Sequence, residues 1–153
     1  MRDHQGHWKK SSGSTKAPAS KQFSIAGDAY NAFPATSSVH AMPFEDYEPF
    51  TFNTEGVELF GMKGGNGPPL LLLHGHPQTH EIWHRLAAVL AQHFTVIATD
   101  LRGYGASAKP PSDAQHTPYS KRAMAADQVA VMRHFGFKRF MACAHDRGAR
   151  AMK

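Results

Sequence analysis

Residues 144–150 read Ala144-His145-Asp146-Arg147-Gly148-Ala149-Arg150, and they decide the fold because they set an acid where a strand must turn sharply into a helix. Such an elbow needs small neighbours, since the tight turn brings adjacent backbones close and strains the central residue. Ala144 and Gly148 supply them, two positions either side of Asp146. The usual elbow carries Ser in G-x-S-x-G, whereas here the pattern is A-H-D-R-G. An Asp carboxylate is ionised at neutral pH without a helper base, so it can attack carbon directly and form an ester. The competing reading is that Asp146 caps the following helix, a role Asp often fills.

Arg147 and Arg150 bear on that choice. Cations in a first helical turn oppose the helix dipole, at about 0.3–1 kcal/mol each. Three residues apart, the two share a helical face beside Asp146, and a guanidinium fork matches a carboxylate. They read as an anion clamp that would orient a carboxylate-bearing small molecule against the nucleophile. Alternatively, one or both bond local carbonyls or Asp146 itself.

Upstream, short β-rich runs alternate with helical periods. Pro49–Thr54 and Val57–Lys63 read as strands joined at Glu55-Gly56, before the break Gly64-Gly65-Asn66-Gly67-Pro68-Pro69. Leu70–Leu73 is apolar on both faces, the habit of a central parallel strand. His80 to Gln92 keeps a helical period through Ile82, Leu86, Val89 and Leu90, and Thr95–Thr99 is the next strand. After a Gly/Pro/Ser-rich loop, Ser120 reads as the N-cap of a helix carrying Met124, Val131, Met132 and Phe135, stopped at Gly136. Arg139–Ala144 is the last strand. Repeated βαβ units predict an α/β fold: a mainly parallel sheet with helices on both faces, led by a hairpin at one edge. The loop His74-Gly75-His76-Pro77 then sits at a strand carboxyl end, where such sheets place ligands. Paired with the residue after the nucleophile, it predicts an oxyanion hole from the backbone N–H groups of His76 and Arg147.

Composition sets the outer limits. The chain has 153 residues, 41% of them hydrophobic, enough for one domain. Residues 1–43 hold seven serines and three prolines with few large apolar side chains, and are expected to be a disordered leader. The globular part is expected over 44–153. Net charge is +5, of which the folded part carries only +2 with dispersed basic residues, so no nucleic-acid footprint is present. The single cysteine, Cys143, lies in an apolar run and reads as a packed small hydrophobe in a reducing compartment. No apolar run reaches the roughly 20 residues of a membrane span. The expected location is cytoplasmic, with organellar targeting by the basic, Ser-rich leader as the minor alternative. His74, His76 and His80 cluster, yet no carboxylate or Cys at the usual spacing completes a metal set, and no metal is assigned.

Together Leu70–Gln78 (LLLLHGHPQ), Trp83-His84-Arg85, Asp100–Ser107 (DLRGYGAS), Tyr119–Met124 (YSKRAM), Asp127-Gln128 and His145–Arg150 (HDRGAR) resemble the haloacetate dehalogenases of the α/β-hydrolase fold over roughly residues 44 to 153. Related epoxide hydrolases and haloalkane dehalogenases usually carry an aromatic residue directly after the Asp, whereas Arg147 and Arg150 stand here; Ala144 stands where Gly is usual. The resemblance implies a hydrolase acting on carbon–halide bonds, without a cofactor. Asp146 would displace halide from a haloacetate such as fluoroacetate while Arg147 and Arg150 hold its carboxylate, and a His-activated water would hydrolyse the ester. It also implies that full-length relatives form homodimers. In the family, the acid, the His base, the halide-binding aromatics and the helical cap follow the elbow, and none of the eleven histidines here occupies the base's place. The chain is therefore expected to be an N-terminal fragment, incompetent for full turnover alone, with the last strand exposing an apolar edge. An epoxide hydrolase and a non-catalytic truncated product are the alternatives. Asp100, Arg102 and Gly103 read as turn-building residues.

Overall fold

The computed structural model describes residues 44–152; the leader expected over residues 1–43 lies outside them. Five strands form one sheet: β1 (Tyr47–Thr54), β2 (Val57–Gly64), β3 (Pro69–Leu73), β4 (Thr95–Thr99) and β5 (Met141–Ala144), in the order β1-β2-β4-β3-β5. β1 and β2 form a hairpin whose two-residue loop, Glu55-Gly56, has φ of 47° and 82°. Two left-handed residues give the turn whose twist matches flanking strands. Asn53 Oδ1 accepts from the Gly56 N–H at 3.2 Å and fixes it.

The sheet is mixed rather than mainly parallel. β3 pairs in parallel with both β4 and β5, while β2 runs antiparallel to β4 and to β1. The hairpin docks on β4, a choice that strand propensity does not encode. Helices do cover both faces, and strand alternation explains how. Leu70, Leu72, Val96 and Ala98 pack with Trp83 and Ala87 on the side of α1 (His84–Ala91). Leu71, Leu73 and Ile97 pack with Leu59, Val131 and Met132 on the side of α2 (Lys121–His134). The continuous leucine run thus feeds two cores at once.

Local signals set most element ends. The helix expected from His80 begins as a 3-10 turn, His80–Trp83, in which Thr79 Oγ1 accepts from the Glu81 N–H. Ser120 caps α2 by accepting from the Ala123 N–H at 3.2 Å, and Gly136 follows the helix end at φ 81°. The last strand starts at Met141 rather than Arg139, because β3 offers partners only from Leu70 to Leu73. β5 ends the strand order, with Met141 and Cys143 exposed. Cys143 is therefore not the packed residue its apolar surroundings predict: it pairs beside Leu72 on the outermost described strand and is exposed.

The loop from β4 to α2 is tied down by an ion pair. Arg102 donates from Nε and Nη2 to the two oxygens of Asp127, both at 2.6 Å, and from Nη1 to the Pro118 carbonyl at 2.8 Å. Both side chains are buried, and the Asp127 carboxylate holds the guanidinium above its usual pKa. Removing one partner of such a pair strands a buried charge, costing about 3–5 kcal/mol. Asp127→Ala is expected to lower the urea unfolding free energy by about that amount; a change under about 1 kcal/mol would mean the pair is not what anchors this loop.

Candidate active site

Three loops meet at the carboxyl ends of the parallel strands: 74–80 after β3, 100–118 after β4, and the elbow between β5 and α3 (Asp146–Ala151). Asp146 stands at φ 43°, the left-handed region that most side chains avoid. Such a conformation costs about 1–3 kcal/mol and persists only where the surroundings enforce it. Here they do so by close backbone approach. The Gly148 N–H donates to the His74 carbonyl at 3.1 Å and to the His145 carbonyl at 2.9 Å, and the His145 N–H donates to the Leu73 carbonyl at 3.0 Å. A Cβ at Gly148 would lie 2.7 Å from both the His74 oxygen and Leu73 Cβ, so the small residue is a steric requirement. Gly75 faces the same limit from the other side, 2.8 Å from Asp146 Cβ.

The Asp146 carboxylate does not act as the N-cap. His145 holds that position, without a side-chain cap. Instead Oδ2 accepts the His76 backbone N–H at 3.1 Å, across 70 residues of sequence. That bond, reinforced by the Arg147 N–H and the charge of Arg150, holds the carboxyl below its usual pKa. Hydrogen bonds to the charged form favour ionisation, so Asp146 is a carboxylate throughout the neutral range. Of the two N–H groups predicted as oxyanion donors, that of His76 bonds this carboxylate directly.

Arg147 and Arg150 are both beside it, in different ways. Arg150 Nη2 lies 3.9 Å from Asp146 Oδ1, an exposed pair one helical turn apart. The Arg147 guanidinium instead lies over the Tyr104 ring, 5.9 Å from its centroid. Lys121, at the start of α2, adds a third cation: its pKa is lowered, first by burial and then by Arg147 and Arg150. Nothing at positions 104 or 121 in the sequence announced this. The one available signal was an aromatic residue in a Gly-rich loop at a strand's carboxyl end.

The three clustered histidines go to separate hydrogen-bond partners. His76 Nδ1 meets the Tyr104 hydroxyl at 3.0 Å. The His80 backbone N–H and ring Nδ1 both reach Asp100 Oδ1, at 2.7 and 2.9 Å. Asp100 also accepts from the Ala106 N–H; burial pushes its pKa up, but these bonds outweigh burial and hold it low. Asp100, Arg102 and Gly103 therefore build the loop, as their sequence pattern suggested. His74 is wholly buried, with Nε2 accepting the Leu101 N–H at 3.0 Å and Nδ1 donating to the Gly75 carbonyl at 2.8 Å.

The sequence pattern of the α/β hydrolase fold matches residues 68–152, and the chain belongs to that family. It is 49% identical over 107 residues to a fluoroacetate dehalogenase from Burkholderia sp, an alignment covering 70% of this chain and 35% of the relative. It is 41% identical over 93 residues to a soluble epoxide hydrolase from Corynebacterium sp. (strain C12), covering 61% and 31%. A crystal structure of an α/β hydrolase from Nostoc sp PCC 7120 superposes with a TM-score of 0.70 at 51% identity, covering 71% of this chain and 38% of that one. The chain therefore spans about a third of the length of these curated relatives. No helix among the described residues is long and apolar enough to cross a membrane.

Burial holds the His74 pKa below its ordinary value. Below about pH 6.5 the unfolded chain binds a proton that the folded chain resists, so this contribution to stability is present above that pH and lost as pH falls. Urea midpoints are expected to drop between pH 7 and 5 in the wild type. His74→Leu, less stable at pH 7, is expected to show a flatter dependence; an equally steep one would place the proton elsewhere.

Proposed function

We propose that this chain carries the attacking group, the substrate clamp and the oxyanion donors of a hydrolase that removes halide from a short 2-halo acid such as fluoroacetate. The observation that carries the reading is Asp146 itself: at φ 43°, ionised, and held through Oδ2 by the His76 N–H at 3.1 Å. A helix cap would need neither the strained backbone nor a partner on another loop. One Asp146 oxygen attacks the α-carbon, the new C–O bond forms, and the halide leaves with the electron pair of the broken C–X bond. In-line attack needs the substrate fixed from its other end, and Arg147 and Arg150 would take its carboxylate in forked hydrogen bonds. Arg150 would leave its exposed contact with Asp146 to do so, a small loss because such pairs contribute little.

Hydrolysis would complete the cycle. Water adds to the ester carbonyl of Asp146, and the resulting oxyanion is held by the backbone N–H groups of His76 and Arg147. The acyl C–O bond then breaks, restoring the carboxylate and releasing the 2-hydroxy acid and a proton. An assembly of full-length protein as a homodimer belongs to the same proposal. A second reading, an epoxide hydrolase, is favoured by the Corynebacterium relative. The same Asp146 would open the epoxide ring. The arginines favour the organic acid, because an epoxide offers no carboxylate to the fork.

Incubation with bromoacetate followed by peptide mapping tests the reading. A carboxymethyl ester is expected on Asp146 in the wild type, with no label at that position in the Asp146→Asn variant, and styrene oxide is expected to label far more slowly. Since the Asp146 pKa lies below the ordinary carboxylate range, the labelling rate is expected to stay flat from neutral pH down to about pH 4 and to fall only below it. Labelling that ignores Asp146, or prefers the epoxide, would overturn the assignment.

A further inference from the structure

Tyr104 touches all three loops of the site, and neither the nucleophile nor the clamp accounts for it. The residue is half-buried in the loop after β4. Its ring meets that of His74 edge-on at 5.2 Å and 67°, and that of His76 at 5.8 Å and 80°. Its hydroxyl reaches His76 Nδ1 at 3.0 Å, and its face carries the Arg147 guanidinium 5.9 Å from the centroid. One side chain therefore contacts the residue whose N–H holds the Asp146 carboxylate and the residue read as an arm of the clamp.

We propose that Tyr104 is a positioning residue for substrate recognition: its ring holds Arg147 ready for the carboxylate, and its hydroxyl fixes the His76 backbone against Asp146. This rests on the reading of Asp146 and Arg147 given above. The physical case begins with the contrast between the two arginines. Arg150 is 71% exposed and touches only Asp146 among charged partners of the described residues, whereas Arg147 is partly buried and lies over the Tyr104 ring. A guanidinium over a ring is attracted by its quadrupole, and the stack restricts the side chain's rotamers before substrate arrives. Arg147 is the fixed arm and Arg150 the moving one. The hydroxyl acts separately, through His76, on the carboxylate that attacks.

Because ring and hydroxyl have separate tasks, two variants separate them. Tyr104→Phe keeps the stack and loses the bond to His76; Tyr104→Leu loses both. In the 153-residue chain, the Arg147 Nε–H resonance is expected to be ring-shifted and motionally restricted in the wild type and in Tyr104→Phe, and free in Tyr104→Leu. The His76 ring nitrogen is expected to shift in both variants. Labelling at Asp146 by bromoacetate and by the neutral bromoacetamide, mapped separately from labelling of Cys143, supplies the functional readout. Tyr104→Leu is expected to lower the acetate-over-acetamide preference about fivefold, while Tyr104→Phe keeps the preference and slows both reagents together. Unchanged Arg147 dynamics in Tyr104→Leu, or equal losses for both reagents in that variant, would overturn the proposal. A wild-type chain unlabelled at Asp146 would instead refute the nucleophile assignment, and the Arg147 and His76 resonances would still decide the role of Tyr104.

Discussion

Everything at the carboxyl end of the sheet depends on one hydrogen bond, from the His76 backbone N–H to Asp146 Oδ2 at 3.1 Å. It joins the loops after two adjacent parallel strands and gives the elbow its purpose. It adds to the backbone bonds of Gly148 and His145 that hold Asp146 in its left-handed conformation. The bond is possible because β3 and β5 are in register, Leu73 opposite Ala144, so both strands end at the same level. Glycines at 75 and 148 then let the two loops approach to contact distance.

That approach has a charge consequence. Asp146 pairs with Arg150 at 3.9 Å, and the Arg147 guanidinium lies over Tyr104 beside it. An anion entering such a place replaces repulsion among cations with attraction, and a carboxylate matches the guanidinium forks. The same charges would do little for a neutral ring-strained substrate. The organic-acid reading is a proposal that draws on these arginines as well as on likeness to a dehalogenase.

Much of this was legible in the sequence, because local rules governed it. The two-residue turn at Glu55-Gly56, the cap at Ser120 and the small residues around Asp146 each leave a short-range signature that survives folding. The leucine run at 70–73 announced a strand buried on both faces, and two cores form there. What escaped was long-range. No periodicity says that β2 docks antiparallel on β4, since the hairpin has two edges to offer. Cys143 looked packed because its neighbours are apolar, yet it lies on the outermost strand of the described sheet and is exposed. Tyr104 drew no reading of its own because its partners, His76 and Arg147, are remote in sequence.

The hydrogen bond itself can be measured through its scalar coupling. A nuclear magnetic resonance experiment that correlates the His76 amide nitrogen with Asp146 Cγ, combined with an acid titration of that carbon, tests the account at its centre. The expected result is a detectable coupling and a titration midpoint below the ordinary carboxylate range. A carboxylate coupled instead to amides within its own helix, titrating like an exposed aspartate, would make Asp146 a helix cap and contradict the account.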